Sequence, residues 1–205
     1  MKKLMFGLML GSIMLCVASS LFAEGMTFGV KGGLNMAKVT GDDVEEADWK
    51  MGGVGGVFLT YAISEIFSVQ PELLFSMKGS KETFADTTYS YKVNYIEIPL
   101  LAKVYLPTEG KIKPHLFAGP AIGILLSAKA TSDPGDEEID FKDETKSTDF
   151  GFLAGAGVEY KMESGSVLFD VRYEVGLTTI DKGDGEAADI KNSAISFMAG
   201  YGFAF

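Results

Sequence analysis

The stretch Phe67-Ser68-Val69-Gln70-Pro71-Glu72-Leu73-Leu74-Phe75-Ser76-Met77-Lys78 decides the fold of this 205-residue chain. Taken every second residue, Phe67, Val69, Pro71, Leu73, Phe75 and Met77 form one set, and Ser68, Gln70, Glu72, Ser76 and Lys78 form the other. A strand points successive side chains to opposite faces of its sheet, so this one has an apolar face and a polar face. Seven further segments repeat the alternation, at about Met26–Met36, Met51–Ala62, Val93–Leu106, Ile112–Ser127, Thr148–Met162, Val167–Ile180 and Ser193–Phe205. No charged residue falls on any of the eight apolar faces. A Lys or Arg facing lipid near the bilayer centre costs about 2–4 kcal/mol, which would enforce such an exclusion.

Alternation alone leaves two architectures open. A soluble barrel or sandwich buries the apolar face and shows its charges to water; a membrane barrel does the reverse. Three further features favour the membrane. First, residues 1–23 read as an export signal, with Lys2 and Lys3 ahead of the apolar run Leu4–Val17 and a small-residue exit ending at Ala23. That run is shorter than the roughly 20 residues of a spanning helix. The expected division is therefore a signal over 1–23 and one barrel domain over 24–205. Second, strands of about eleven to thirteen residues suit the roughly 9–11 that cross the hydrocarbon on a tilt. Third, the connections alternate. Ile63–Ile66, Pro107–Lys111 and Glu163–Ser166 are short, whereas the links over 37–50, 79–92, 128–147 and 181–192 are long and hydrophilic. Short periplasmic turns and long outer loops are the habit of outer-membrane barrels. The predicted fold is an all-β, eight-stranded antiparallel up-and-down transmembrane barrel.

Trp49, Tyr61, Phe67, Tyr160 and Phe205 lie near strand ends, where they would form interfacial belts. Pro71, Pro99 and Pro120 each remove a ladder donor and are expected to mark bulges.

Charge and cysteine usage exclude several functions. Without Lys2 and Lys3 the chain keeps 16 basic against 28 acidic residues, a formal charge of −12 that would repel nucleic acid. Cys16, the sole cysteine, lies in the signal, so disulfides, thiol catalysis and cysteine metal sites are not expected. Leu15, which is not small, argues against lipidation at Cys16. No phosphate-loop or dinucleotide glycine pattern occurs among the 25 glycines.

The residues predicted to face the lumen include Lys31, Glu72, Lys78, Glu97, Lys103, Glu159, Lys161, Asp170, Arg172 and Glu174. An eight-stranded barrel is just wide enough to be filled by its own side chains, so these charges are expected to pair. The central network is placed on Glu72, Glu97, Lys103, Arg172 and Glu174, with Arg172 reaching across to Glu72 and Glu97. The alternative is a narrow polar path for ions or small solutes. For catalysis only His115 is present, with Ser76 and Ser127 as nucleophiles by type alone, so the chain is expected to be no enzyme. Acid clusters crowd three loops: Asp42, Asp43, Glu45, Glu46 and Asp48; Asp133 through Glu144; and Asp181, Asp184, Glu186 and Asp189. Carboxylates can hold calcium or magnesium, but the spacing after Asp181 does not fit an EF-hand loop, so solvated loops and no cofactor or metal are expected.

Four motifs, Ser68–Gly79, Tyr95–Tyr105, Phe117–Gly123 and Asp170–Leu177, make the chain resemble the PorT-like outer-membrane β-barrel family, common in Bacteroidetes-type bacteria. The resemblance covers essentially the whole mature chain. It implies an eight-stranded barrel inserted by the barrel assembly machinery, which reads a last strand rich in aromatics, here Tyr201, Phe203 and Phe205. It implies little about activity. The expected partners are outer-membrane lipid and that machinery, with no nucleic acid, an unidentified extracellular partner and a monomeric state. A soluble secreted ligand-binding barrel is the remaining alternative.

Overall fold

A computed structural model describes residues 25–42, 44, 47–84, 87–133, 138–183 and 188–203. The proposed signal, Phe205 and the loop acids Asp43, Glu45, Glu46, Asp136, Glu137, Asp184 and Glu186 lie outside the described residues. The strands are β1 (Met26–Thr40), β2 (Asp48–Ala62), β3 (Phe67–Phe84), β4 (Thr87–Tyr105), β5 (Ile112–Asp133), the short β6 (Glu138–Asp140), β7 (Thr148–Met162), β8 (Gly165–Gly176) and β9 (Lys191–Phe203). Every pairing is antiparallel, and the ring closes through β1 on β9 and β4 on β5. The eight long strands form an up-and-down barrel, and β6 adds to the upper part of β5.

Burial is inside out relative to a soluble protein. Val30, Leu34, Leu73, Phe75, Leu100, Phe152, Val171 and Phe197 are exposed, while Lys31, Glu72, Lys78, Glu97, Asp170 and Arg172 are buried. A water-soluble barrel would show the opposite.

The strands are taller than the alternation predicts. β5 runs 22 residues, and the β3–β4 hairpin stays paired up to Phe84↔Thr87. Above the hydrocarbon both faces of a strand meet water, so the apolar signal stops although the ladder continues. The segments 37–40, 79–84, 87–92 and 128–133, expected as loop, are strand for this reason.

The three prolines also behave differently from expectation. Register shifts occur between Trp49 and Val54, and at Asn94/Tyr95, where Leu126 is the extra residue. None coincides with a proline. Instead, pairing lapses without changing register: β2–β3 between Phe58↔Glu72 and Tyr61↔Val69, β3–β4 between Pro71↔Leu100 and Leu74↔Glu97, and β4–β5 between Pro99↔Ala121 and Ala102↔Ala118. Each lapse contains or borders a proline that cannot donate.

The aromatics gather toward the strand ends. Tyr61 and Tyr160 are exposed near the turn-side rim, where Phe203 stacks on Phe28 at 6.4 Å and meets Tyr201 edge-on at 5.0 Å. Trp49 is exposed toward the loop side, with the Lys38 ammonium 5.0 Å from its ring. Phe67 is only half-exposed.

Candidate functional site

The lumen is built in layers by inward parity. Nearest the turns, Tyr105 Oη donates to Glu159 Oε2 (2.9 Å), and Ser68 is wholly buried beside it. Above them lies an ionic layer centred on Glu72, with a side chain 0% exposed. Glu72 accepts from Lys31 Nζ (2.7 Å), Gln70 Nε2 (2.7 Å) and an Arg172 guanidinium nitrogen (2.8 Å). Lys31 also donates to Asp170 (2.9 Å), whose other oxygen lies 2.9 Å from His115 Nε2. The second terminal nitrogen of Arg172 points at the Met198 sulfur, and its Nε has no partner.

A second ionic layer sits nearer the loops. Lys78 Nζ lies 2.6 Å from Glu97 and donates to Glu174 at 2.8 Å. The aromatic face of Tyr95 is 5.8 Å from the same ammonium. Higher still, Asn192 donates to Asp149 (2.8 Å) and to the Tyr95 hydroxyl (3.2 Å). Apolar side chains fill the remaining wall: Leu101, Phe117, Ala121 and Leu153 in one cluster, and Val54, Leu74 and Met198 in another.

Of the residues predicted for the central network, Glu72 and Arg172 meet. Glu97 joins Lys78 and Glu174 instead of Arg172, so one expected network is two. The inward rows are slanted, and Glu97 opposes Leu74, one inward position above Glu72 on β3. Lys103 is buried with no carboxylate within salt-bridge distance among the described residues; Gln70 Oε1 is 3.5 Å away and the Tyr105 ring 5.2 Å. Lys161, expected inside, is exposed at the turn-side rim, because β7 ends one residue later. Tyr201 and Phe203 lie on the outer wall of β9.

His115 is not paired with either candidate nucleophile. Ser76 Oγ accepts from Asn35 Nδ2 (2.8 Å) and Ser127 Oγ from Asn94 Nδ2 (2.9 Å), while the imidazole is held by Asp170. Gly157 makes room for that contact: a Cβ there would sit 2.2 Å from Asp170 Oδ1 and 2.5 Å from His115 Nε2. Sequence reasoning missed Gln70, Asn35 and Asn192 as network members. Their position on the polar parity was the available signal.

Each end of the lumen opens into a cavity. The turn-side vestibule, about 600 Å³, is lined by Thr27, Thr60, Tyr105, Lys113, Glu159 and Lys161 among others. On the loop side Phe141 packs over the cluster of Val93, Tyr95, Leu125 and Ala128. There Lys146 N donates to Ile180 O (2.7 Å), Ile180 N to Ile190 O (2.8 Å), and a bridge pairs Thr145 with Asp181. These contacts roof the mouth and leave a cavity of about 280 Å³ below the roof. Burial first, and the Glu82 carboxylate next, hold the Tyr91 phenol in its wall above the ordinary tyrosine range.

The family model described as "Outer membrane protein beta-barrel domain" matches residues 19–182. Among solved structures, Neisserial surface protein A (NspA) superposes with a TM-score of 0.50 at 16% identity, covering 87% of this chain and 99% of that one. Outer Membrane Protein W of E. coli gives 0.45 at 16% identity, over 89% and 100%. Ail, the attachment invasion locus protein of Yersinia pestis, gives 0.41 at 16% identity, over 88% and 100%. No curated protein matches the chain.

Proposed function

We propose a role that starts from what the chain is: it belongs to the outer membrane protein beta-barrel domain family and is an integral outer-membrane barrel. Within it we assign the chain to the PorT-like group, in a Gram-negative cell, on the four motifs Ser68–Gly79, Tyr95–Tyr105, Phe117–Gly123 and Asp170–Leu177 taken together. Residues 1–23 serve as its signal peptide, and the barrel assembly machinery inserts it by reading the aromatic last strand. The barrel works as a monomeric, non-conducting and non-enzymatic scaffold that presents its acidic loops to a partner outside the cell.

The observation that carries this reading is the plugged lumen. Glu72, Lys31, Arg172 and Asp170 span the bore in one layer, and Lys78, Glu97 and Glu174 span it in the next. An ion crossing would have to displace buried, directly paired charges. A narrow channel is the second reading, favoured by the polar vestibule that enters from the turn side. Planar-bilayer recording tests both. The wild-type barrel is expected to be silent, and removal of Glu72 and Arg172 together to produce discrete openings. Wild-type openings that change when Glu97 is neutralised would replace the scaffold with the channel.

A further inference from the structure

We propose that the loop-side cavity binds a small organic ammonium ion carrying an apolar or aromatic body. The inference goes beyond the scaffold role and does not depend on it, since a conducting barrel would have the same cavity.

The lining combines apolar surface with acidic residues. Val39, Val93, Ile180 and Ile190 provide aliphatic surface. Tyr91 and Phe141 add a pair of rings meeting edge to face, centroids 6.1 Å apart at 81°. Three acidic residues, Glu82, Glu144 and Asp181, together with Gly79, Ser80 and Thr145, complete the lining, and no lysine or arginine is among the described residues that line it. Asp181 is fixed rather than loose: one of its oxygens accepts from Ala188 N at 2.8 Å. Lys50, buried in the neighbouring wall, donates to the Lys78 carbonyl at 3.2 Å.

Charge complementarity selects the occupant. An anion would meet three acidic residues in a lining without a lysine or arginine, since the nearby Lys50 ammonium is turned to the Lys78 carbonyl. A bare hydrated cation would leave the aliphatic and aromatic walls unused. An ammonium group with an attached ring or short chain satisfies both parts, with its charge toward the acidic residues and its body against Tyr91, Phe141 and the aliphatic wall. The volume, about 280 Å³, suits a single ring with a short amine arm. The surrounding acids, among them Asp42, Asp48, Asp133 and Asp143, raise the local concentration of any cation approaching the mouth.

The test uses the full barrel in nanodiscs, titrated by calorimetry with phenethylammonium. Phenylacetate carries the same ring with the opposite charge, and methylammonium the same charge without the ring. Saturable binding of phenethylammonium alone is expected, weakening with salt and falling about tenfold in Glu82→Gln/Glu144→Gln. Val39→Trp, which fills the cavity, is expected to abolish it. Heat-modifiable migration on gels establishes that each variant is folded; should Val39→Trp fail to assemble, the carboxylate variant decides alone. Equal binding of phenylacetate, no saturable binding of phenethylammonium, or affinity unchanged in the carboxylate variant would each overturn the proposal.

Discussion

Glu72 is the residue on which the turn-side half of the lumen depends, so Glu72→Gln is the sharpest perturbation of the barrel's stability. The wild-type carboxylate meets three donors at 2.7 to 2.8 Å, with side chains of 0% exposure on Glu72 and 3% on Arg172. In the variant Lys31 keeps Asp170 at 2.9 Å. Arg172 keeps no carboxylate within salt-bridge distance, and its Nε is already without a partner. A buried guanidinium stripped of its counter-charge costs about 3–5 kcal/mol, against about 0–1 kcal/mol for an exposed pair. Guanidinium unfolding of the barrel in lipid vesicles, followed through Trp49, the single tryptophan, measures the loss. The double variant Glu72→Gln/Arg172→Met should be destabilised by about 0.5–3 kcal/mol less than the two singles added, because no orphan charge is left. A loss below about 1 kcal/mol in Glu72→Gln, or strict additivity in the double, would refute the claim that this layer is dry and ion-paired.

Two further predictions concern the wall and its lining. Val171→Arg places a cation on the lipid face and should block assembly, at about 2–4 kcal/mol, whereas Ser68→Asp, opposite Lys103 in the ladder, should assemble normally; membrane fractionation and gel mobility compare them, and equal yields would reverse inside and outside. Gly157→Val forces a side chain into the His115–Asp170 contact and against the Phe169 carbonyl, 2.6 Å from the position of a Cβ. It should lower stability by about 1–3 kcal/mol in the same unfolding assay, and an unchanged midpoint would count against that close approach.

The architecture was legible because a membrane wall enforces parity. Phe67 to Lys78 has one solvent on each face, so two residues' spacing is enough to say which side each occupies. That advantage ends at the membrane boundary: Ser80 to Thr83 and Thr87 to Lys92 are strand, yet both their faces are polar. Within the lumen, parity tells that Glu97 points inward but not which cation it meets, because strand tilt sets the height at which inward rows face each other. Glu97 therefore joined Lys78 rather than Arg172. The prolines illustrate the same limit: the missing donor is visible in sequence, but whether the strand bulges or simply leaves a rung unformed depends on how firmly the neighbours hold register. The loop cavity could not be foreseen, since it needs Phe141, Ile180 and Tyr91 brought together from three separate connections.

The lapses beside Pro71, Pro99 and Pro120 fall on three consecutive strands, so the barrel's circumference is not equally stitched. Each of the three interfaces in the arc from β2 to β5 has a gap in its ladder, whereas from β7 through β9 to β1 pairing runs without interruption. Within the ladders, deuterium should enter earlier beside these gaps than along the uninterrupted arc. The ionic plug is anchored on both arcs, by Glu72 on one and Arg172 on the other. It therefore acts as a strut, tying the interrupted arc to the uninterrupted one across the bore.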